Sequence, residues 1–305
     1  GGRCGSFDVA FDDAPVRSRA LQASELKSSF PGEAPGERLE IVHAPDRIEP
    51  REAPATAVRR KPGSSIVRGL LLHREGKADA FVSAGSTGAV MAASLLILRP
   101  LPGVDRPAVA TALPTAAAPV VLIDAGANVD SKPAHLVQFA RLGVVYAQEV
   151  LGRADPRVGL LNIGEEPEKG NELAVEAHRL LRQSGLNFVG NIEGRDIIGG
   201  AADVVVSDGF VGNVLLKFYE SVAGFVSRLL VRELGDSPAR ARLDPLLRLL
   251  DYTEYGGAPL LGVNGVSIIC HGNSPPRAIR NAIGAACQAV RAQLLGHLRR
   301  ELAGG

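Results

Sequence analysis

The stretch "DVVVSDGFVGNVLLK", residues 203–217, contains the transition that decides the fold. Its run of valines predicts a buried strand, and the apolar spacing that follows predicts a helix. Between the two lie Asp208, Gly212 and Asn213, together with a second glycine. Glycines permit tight turns, and a helix that begins at such a turn presents free N–H groups to an anion. The stretch therefore predicts a strand–turn–helix unit whose turn borders a binding site.

The same order of strand, turn and helix recurs at least five times after Leu39. Short apolar runs that end in Gly, Asn or Asp are each followed by an amphipathic pattern. The predicted strands lie within 79–85, 120–130, 157–166, 187–194, 202–209 and 266–272, and the last precedes a helix from about Pro275 to Leu302. Continuous apolar strands that alternate with helices indicate a sheet covered on both faces. We therefore predict an α/β fold, a three-layer α/β/α arrangement with a mostly parallel, doubly wound sheet.

Composition excludes several classes of protein. The 305 residues are 46% hydrophobic, enough for a sizeable core, and the formal net charge is +1. A nucleic-acid-binding protein usually carries a basic surplus, so no nucleic-acid partner is expected. Three scattered cysteines do not suit a disulfide framework or a zinc site, which favours a reducing cytoplasm and no metal. No apolar run approaches the roughly 20 residues that span a bilayer, so a soluble protein is expected.

Candidate site residues follow the predicted strands. In open parallel sheets, ligands bind beyond the carboxyl ends of the strands, and helix N-termini there favour anions. The small and polar residues at these ends include Ser86, Thr87, Asn162, Asp208, Gly212, Asn213 and His271. Each also has an ordinary structural interpretation as a turn or cap, and Asp208 in particular has the position of a helix N-cap. Their convergence on one edge of the sheet favours a site.

Two further features have competing interpretations. The loop "IGEEPEKGNE", residues 163–172, is either solvated surface or a segment that brings Lys169 beside the anion site. Cys270 and His271 are adjacent, but neighbouring strand residues point to opposite faces and do not easily share a proton. We therefore expect Cys270 in the core, with His271 either a site residue or a cap. The chain has no G-x-x-x-x-G-K-[ST], G-x-G-x-x-G or G-x-S-x-G motif, so nucleotide-binding and serine-hydrolase functions lack support.

Ten collinear blocks between about Leu39 and Ile283 closely resemble the bacterial phosphate acyltransferases of the PlsX type. They include "ADAFVSAGSTGA", "DAGANVDSKPAHLVQFA", "RVGLLNIGEEPEKGNEL", "ADVVVSDGFVGNVLLK" and "CHGNSPPRAIRNAI". The resemblance implies an enzyme that makes acyl phosphate from fatty acyl-acyl-carrier-protein (acyl-ACP) and inorganic phosphate, at the first acylation of phospholipid synthesis. It implies an α/β/α fold similar to phosphotransacetylases and isocitrate-dehydrogenase-like enzymes, a homodimer, no cofactor, and peripheral membrane contact with hand-over to a glycerol-3-phosphate acyltransferase.

Transfer of an acyl group from a thioester to phosphate needs few catalytic groups. Phosphate already carries negative charge, and a thioester releases a thiolate whose parent thiol has a pKa of roughly 8.5, so no acyl-enzyme is required. By position, the resemblance implies that Lys169 is the cation on phosphate or on the developing oxyanion, and that Asn213 is the amide donor. The substrate pocket that it implies contains Ser86, Thr87, Asn162, Asn171, Asp208, Gly212 and His271.

Three departures from the family pattern accompany the resemblance. Residues 1–36 do not match the family's opening strand and D-A-M-G-G-D loop, so this segment is expected to be divergent or incomplete, with the phosphate acyltransferase domain over residues 37–305. Ser86 stands where the family typically has Asn. The helical segment between Lys217 and Tyr255, which in the family is tied to dimer packing and membrane contact, is shorter than usual.

Two alternatives stay open from the sequence. The chain is either a phosphotransacylase for short acyl-CoA, or a catalytically impaired scaffold that binds ACP because its opening loop is missing. A nicotinamide dehydrogenase ranks last, because the dinucleotide fingerprint is absent.

Overall fold

The computed structural model describes residues 9–12, 42–115, 118–235, 243, 256–272 and 274–303. The strands are β1 (Val9–Asp12), β2 (Ala80–Ser83), β3 (Ala108–Leu113), β4 (Val120–Ile123), β5 (Val158–Leu161), β6 (Phe188–Ile192), β7 (Val204–Val206), β8 (Ala258–Leu261) and β9 (Ser267–Ile269). The helices are α1 (Pro54–Arg60), α2 (Ser65–Arg74), α3 (Thr87–Ile97), α4 (Pro133–Glu149), α5 (Glu172–Arg182), α6 (Gly194–Gly199), α7 (Gly209–Leu234), α8 (Pro276–Arg291) and α9 (Leu294–Ala303).

Within the described residues, the strands form one nine-stranded sheet in the order β1-β2-β9-β8-β3-β4-β7-β5-β6. The three valines of β7 lie between β4 and β5 and pair with both in parallel, so Val204 lies opposite Val121 and Val158. All three valines of β7 are fully buried, as expected for a strand covered on both faces. The valine run therefore forms an inner strand of the sheet.

The sheet is mixed rather than uniformly parallel. Five of its pairings are parallel, but β8 runs antiparallel to β9 and β3, and β3 runs antiparallel to β4. Only six residues separate β3 from β4 and five separate β8 from β9. Such connections are too short for the crossover that parallel neighbours require, so each of these pairs forms an antiparallel hairpin. The predicted parallel order thus holds at both ends of the sheet and fails in its centre.

Successive residues of a strand pack into two separate hydrophobic cores, one on each face of the sheet. On one face, Val121 and Ile123 of β4 pack in a cluster with α4, α5, α8 and α9. On the other face, Leu122 of the same strand packs in a second cluster with α1, α2, α3, α6 and α7. Side chains on a strand alternate between faces, so one strand can serve both clusters. The result is the predicted three-layer α/β/α arrangement.

The structure has an unpredicted strand near the start of the chain, and one prediction near its end needs correction. Residues 1–36 contain a strand that the sequence did not reveal, β1, which pairs in parallel with β2. The single helix predicted from Pro275 to Leu302 is two helices, because the chain leaves α8 at Ala292 and Gln293 adopts a positive φ of 49° before α9 begins. Left-handed backbone at one residue interrupts the helical hydrogen-bond pattern and lets α9 pack in a new direction.

Part of one prediction lies outside the described residues, namely the end of the helical segment between Lys217 and Tyr255. Within the part of the chain that the structure describes, no helix combines the length and the apolarity needed to cross a bilayer.

Candidate active site

The turn between β7 and α7 is fixed by a cap. Asp208 is the N-cap of α7, and its Oδ1 accepts hydrogen bonds from the backbone N–H groups of Phe210 (2.9 Å) and Val211 (3.0 Å). The Gly209 N–H donates to the carbonyl of Asn128 at 2.8 Å. Asp208 thus has the structural role that its position in the sequence allowed, and it does not line the cavity described below.

The two glycines of the turn let α7 lie against the loop that follows β4. A Cβ on Gly209 would come within 2.7 Å of the Asn128 backbone and 2.8 Å of Asp124 Oδ2. A Cβ on Gly212 would overlap the carbonyl oxygen of Asp124 and lie 2.7 Å from Ser207 Oγ. Cβ atoms do not occur at such distances, so both positions require glycine for close approach of two backbones.

The loop after β4 is organised around the buried carboxylate of Asp124. Its Oδ1 accepts from the N–H groups of Val109, Gly126 and Ala127 at 3.0, 3.2 and 2.9 Å. Its Oδ2 accepts from the backbone N–H and the side-chain amide of Asn128 at 2.7 and 2.9 Å. Burial raises the pKa of Asp124, while these hydrogen bonds act in the opposite direction. Because these five hydrogen bonds converge on one side chain, they fix the conformation of the loop against which α7 packs.

A cavity of about 490 Å³ lies between α7, the start of α3, β3 and the segment that joins β9 to α8. Asn213 enters it directly after the glycine turn, and its side chain covers Gly126, whose φ is +134°. The polar lining consists of Thr87, Thr111, Asn213, Lys217, Tyr219, Glu220, His271 and Ser274. The apolar lining includes Met91, Val109, Leu113, Pro114, Leu216, Ile269 and Ala278.

Three charged or titratable side chains meet on one wall of the cavity. Lys217 Nζ lies 2.8 Å from Glu220 Oε2, and His271 Nε2 lies 3.4 Å from both Glu220 Oε1 and Lys217 Nζ. Burial raises the pKa of Glu220, but the hydrogen bonds from His271 and Lys217 outweigh it, so the pKa is lowered overall. Glu220 is therefore a carboxylate at neutral pH. This cluster was not predicted, because only the i, i+3 spacing of Lys217 and Glu220 is visible in the sequence.

The start of α3 forms another wall. Ser86 is the N-cap, and its side chain makes no capping hydrogen bond. Thr87 and Gly88, the first two helical residues, line the cavity. The first N–H groups of a helix have no partner within the helix and carry its positive end, so this wall favours an anion.

Apart from Asp208, the N-cap of α7, the predicted site residues fall into two groups. Thr87, Asn213 and His271 line the cavity, and Ser86 and Gly212 adjoin it in sequence. Lys169, Asn162 and Asn171 lie on the β5–α5 connection and do not line the cavity.

Local hydrogen bonds hold this second group. Asn162 Nδ2 donates to the Lys169 carbonyl at 2.9 Å, and Asn171 is the N-cap of α5, with its Oδ1 accepting from Ala174 N–H at 2.9 Å. Lys169 itself is exposed. The β5–α5 connection is thus a hydrogen-bonded loop that carries an exposed lysine.

Cys270 lies in the core, as expected, with 4% of its surface exposed. Burial raises the pKa of its thiol to about 11, so almost none is thiolate at neutral pH. Within the described ranges, no three His, Cys, Asp or Glu side chains are placed to hold a metal ion. The cavity therefore offers an ammonium, an amide, hydroxyls and a helix N-terminus beside an apolar wall, an arrangement that can hold an anion next to an apolar group.

The fold is similar to that of phosphotransacetylases. The EutD phosphotransacetylase from Staphylococcus aureus superposes with a TM-score of 0.53 and 18% identity, over 78% of this chain and 70% of that chain. A branched-chain phosphotransacylase from Enterococcus faecalis gives a TM-score of 0.53 at 16% identity, over 93% of this chain and the whole of the other. These similarities confirm the predicted fold class.

Sequence comparison identifies the family. The profile of the family described as "Fatty acid synthesis protein" matches residues 20–296. A protein named phosphate acyltransferase from Desulforamulus reducens is 50% identical over 285 residues, 91% of this chain and 86% of its own. Another with that name, from Heliobacterium modesticaldum, is 52% identical over 276 residues, 88% of this chain and 82% of its own. The chain therefore belongs to the PlsX-type phosphate acyltransferase family and is an acyltransferase.

Proposed function

We propose that this protein transfers the acyl group of a fatty acyl-ACP to inorganic phosphate, and that the acyl phosphate enters phospholipid synthesis. Relatives named phosphate acyltransferase support acyl transfer with phosphate as acceptor. The observation that carries the proposal is the cavity, in which groups suited to an anion face an apolar wall. An anionic acceptor and a fatty acyl thioester are the two substrates that such a cavity accommodates.

The reaction requires positioning rather than a strong base. A phosphate oxygen attacks the thioester carbonyl carbon, a C–O bond forms, and the C–S bond breaks as the thiolate leaves and takes up a proton. Holding phosphate in line with the carbonyl converts a bimolecular step into an effectively unimolecular one. The site needs no enzyme nucleophile, which is consistent with the buried, neutral thiol of Cys270.

Asn213 has the position to orient the reacting groups. It follows Gly212 at the start of α7 and reaches the cavity beside Gly126. We assign its amide N–H to the thioester carbonyl oxygen, which becomes the oxyanion of the tetrahedral intermediate. The N–H groups of Thr87 and Gly88 at the α3 N-terminus are assigned to phosphate.

Lys169 is assigned as a second cation that faces phosphate or the oxyanion during turnover. Its loop is held by the hydrogen bond from Asn162 to its carbonyl, which supports a defined position for the backbone. A folded Lys169→Ala protein with unchanged turnover would eliminate this role.

The long helix α7 supports a homodimer. Its exposed apolar residues recur at helical spacing, and three phenylalanines, Phe210, Phe218 and Phe225, are 61%, 67% and 59% exposed. An uncovered apolar stripe of this kind marks a surface for another protein or a membrane. We propose that a second copy covers it, in a cytoplasmic protein that contacts the membrane peripherally and hands acyl phosphate to a glycerol-3-phosphate acyltransferase. Sedimentation of the purified chain as a monomer at micromolar concentration would contradict the dimer.

One assay separates the proposed function from its alternatives. The protein is incubated with palmitoyl-ACP and phosphate, and the product is trapped with hydroxylamine as the hydroxamate. The proposal predicts phosphate-dependent hydroxamate, measured above a control without phosphate that reports direct thioester cleavage. Preference for acetyl-CoA or butyryl-CoA over palmitoyl-ACP would identify a short-chain phosphotransacylase instead. Binding of ACP without turnover would identify a scaffold.

A further inference from the structure

Lys217 has an unusual environment for a lysine on a helix surface. It lies one turn after Asn213 on α7, and both side chains line the cavity. Among the described residues that line this cavity, Lys217 is the one lysine or arginine. About half of its side chain, 49%, is exposed. Its ammonium is therefore accessible to a ligand inside the cavity.

Glu220 fixes the position of that ammonium. Its side chain is only 14% exposed, and its Oε2 accepts from Lys217 Nζ at 2.8 Å. Its other oxygen faces His271, which lies 51 residues further along the chain, after β9. In an ordinary i, i+3 ion pair on a helix surface, both charges are in solvent, and the pair contributes little to the stability of the fold. Here the carboxylate is mostly withdrawn from water and is contacted from two elements, so the cluster fixes a definite geometry.

The ammonium keeps donor capacity for a ligand. A lysine has three N–H donors, one of which is directed at Glu220. His271 Nε2 is 3.4 Å from Nζ, a distance at which any hydrogen bond is weak. At least one strong N–H donor is thus left for an anion in the cavity, which the positive end of α3 also lines.

We propose that Lys217 binds the phosphate substrate directly and that Glu220 is the residue that positions it. This inference rests on the proposed function and names a cation of the acceptor site other than Lys169. Phosphate accepts a charge-assisted hydrogen bond from Lys217 Nζ on one side and N–H groups of α3 on the other. Asn213, on the same face of α7, then stands beside the carbonyl that phosphate attacks.

The test is steady-state kinetics with phosphate and palmitoyl-ACP varied separately. Lys217→Ala is expected to raise the phosphate KM by about tenfold or more, because it removes a hydrogen bond from a charged donor, with the KM for palmitoyl-ACP almost unchanged. Glu220→Gln keeps an acceptor for the ammonium and is expected to give a smaller rise in the phosphate KM than Glu220→Ala. The matched control is Lys77→Ala, which removes another lysine paired with a glutamate, Glu75, at an exposed position. It is expected to leave both KM values unchanged.

Calorimetric titration with inorganic phosphate alone provides a second readout. Wild type and Lys77→Ala are expected to bind phosphate, and Lys217→Ala is expected to bind it at least about tenfold more weakly while still folded, as shown by a single cooperative melting transition. A Lys217→Ala protein with the wild-type phosphate affinity and phosphate KM overturns the inference. If wild type binds phosphate through Lys217 but forms no acyl phosphate, the proposed function fails, and only the binding of phosphate by Lys217 is retained.

Discussion

The contact between Gly212 and the Asp124 carbonyl makes a sharp prediction for Gly212→Ala. The added methyl group would overlap a backbone oxygen, which cannot rotate aside as a side chain can. To reach even 3.0 Å, α7 must retreat by about 1 Å from the loop after β4. Overpacking of this kind costs about 3 kcal/mol of the free energy of unfolding. For a chain of 305 residues, that loss lowers the melting temperature by about 5 °C.

The same displacement affects the site, because Asn213 is the next residue on α7. A misplacement of about 1 Å in a positioning group can reduce the rate about 100-fold, and we expect that loss in kcat/KM for palmitoyl-ACP. The measurements are calorimetric melting and the hydroxamate assay on the same preparation.

Gly224→Ala, on the same helix, is the matched control for this prediction. A Cβ at Gly224 meets only the end of the Arg228 side chain, at 3.3 Å. Alanine is the better helix former, so this variant should gain up to about 1 kcal/mol and keep its activity. A Gly212→Ala protein that melts and turns over like Gly224→Ala would refute the argument from close backbone approach.

Three further predictions concern buried titratable groups. With its pKa raised to about 11, Cys270 is about 0.1% thiolate at pH 8. Wild type should therefore resist thiol reagents at this position, and Cys270→Ala should retain turnover. Loss of activity in Cys270→Ala, together with a detectable acyl-cysteine in wild type, would contradict direct transfer of the acyl group to phosphate. The lowered pKa of Glu220 contributes stability that is fully present above the pKa of the unfolded chain, about 4.3, and is lost as pH falls through the folded pKa. Glu220→Gln should therefore make the free energy of unfolding depend less on pH in the acid range. An unchanged dependence on pH would contradict the pairing with Lys217 and His271. Asp124→Asn places an N–H group against two donors of Asn128, its backbone N–H and its side-chain amide. The free energy of unfolding, measured with urea, should fall by about 3 kcal/mol. An unchanged urea midpoint and slope would show that the loop does not depend on the carboxylate.

Local features of the site could be predicted from the sequence because their causes are local. The valines of β7 predicted a buried strand, and the position of Asp208 predicted a helix cap; the structure has both. That Gly212 is needed for a particular backbone contact could not be predicted, because its partner Asp124 lies 88 residues earlier. Sequence predicts that a turn can be tight, whereas only the fold shows what approaches it.

Features that depend on distant pairing were missed. The antiparallel centre of the sheet depends on the short connections between β3 and β4 and between β8 and β9, which the alternation of strands and helices does not reveal. The wall formed by Lys217, Glu220 and His271 was missed because it needs α7 and the end of β9 to be neighbours. Lys169 and its loop lie outside the cavity lining, so the role of Lys169 stays a prediction.

The most direct test is a crystal of the protein soaked in inorganic phosphate. The account predicts an ion in the cavity, within hydrogen-bonding distance of the N–H groups of Thr87 and Gly88 and of Lys217 Nζ, with the Asn213 amide beside it. Density for phosphate only outside this cavity, for example on the loop that carries Lys169, would contradict it.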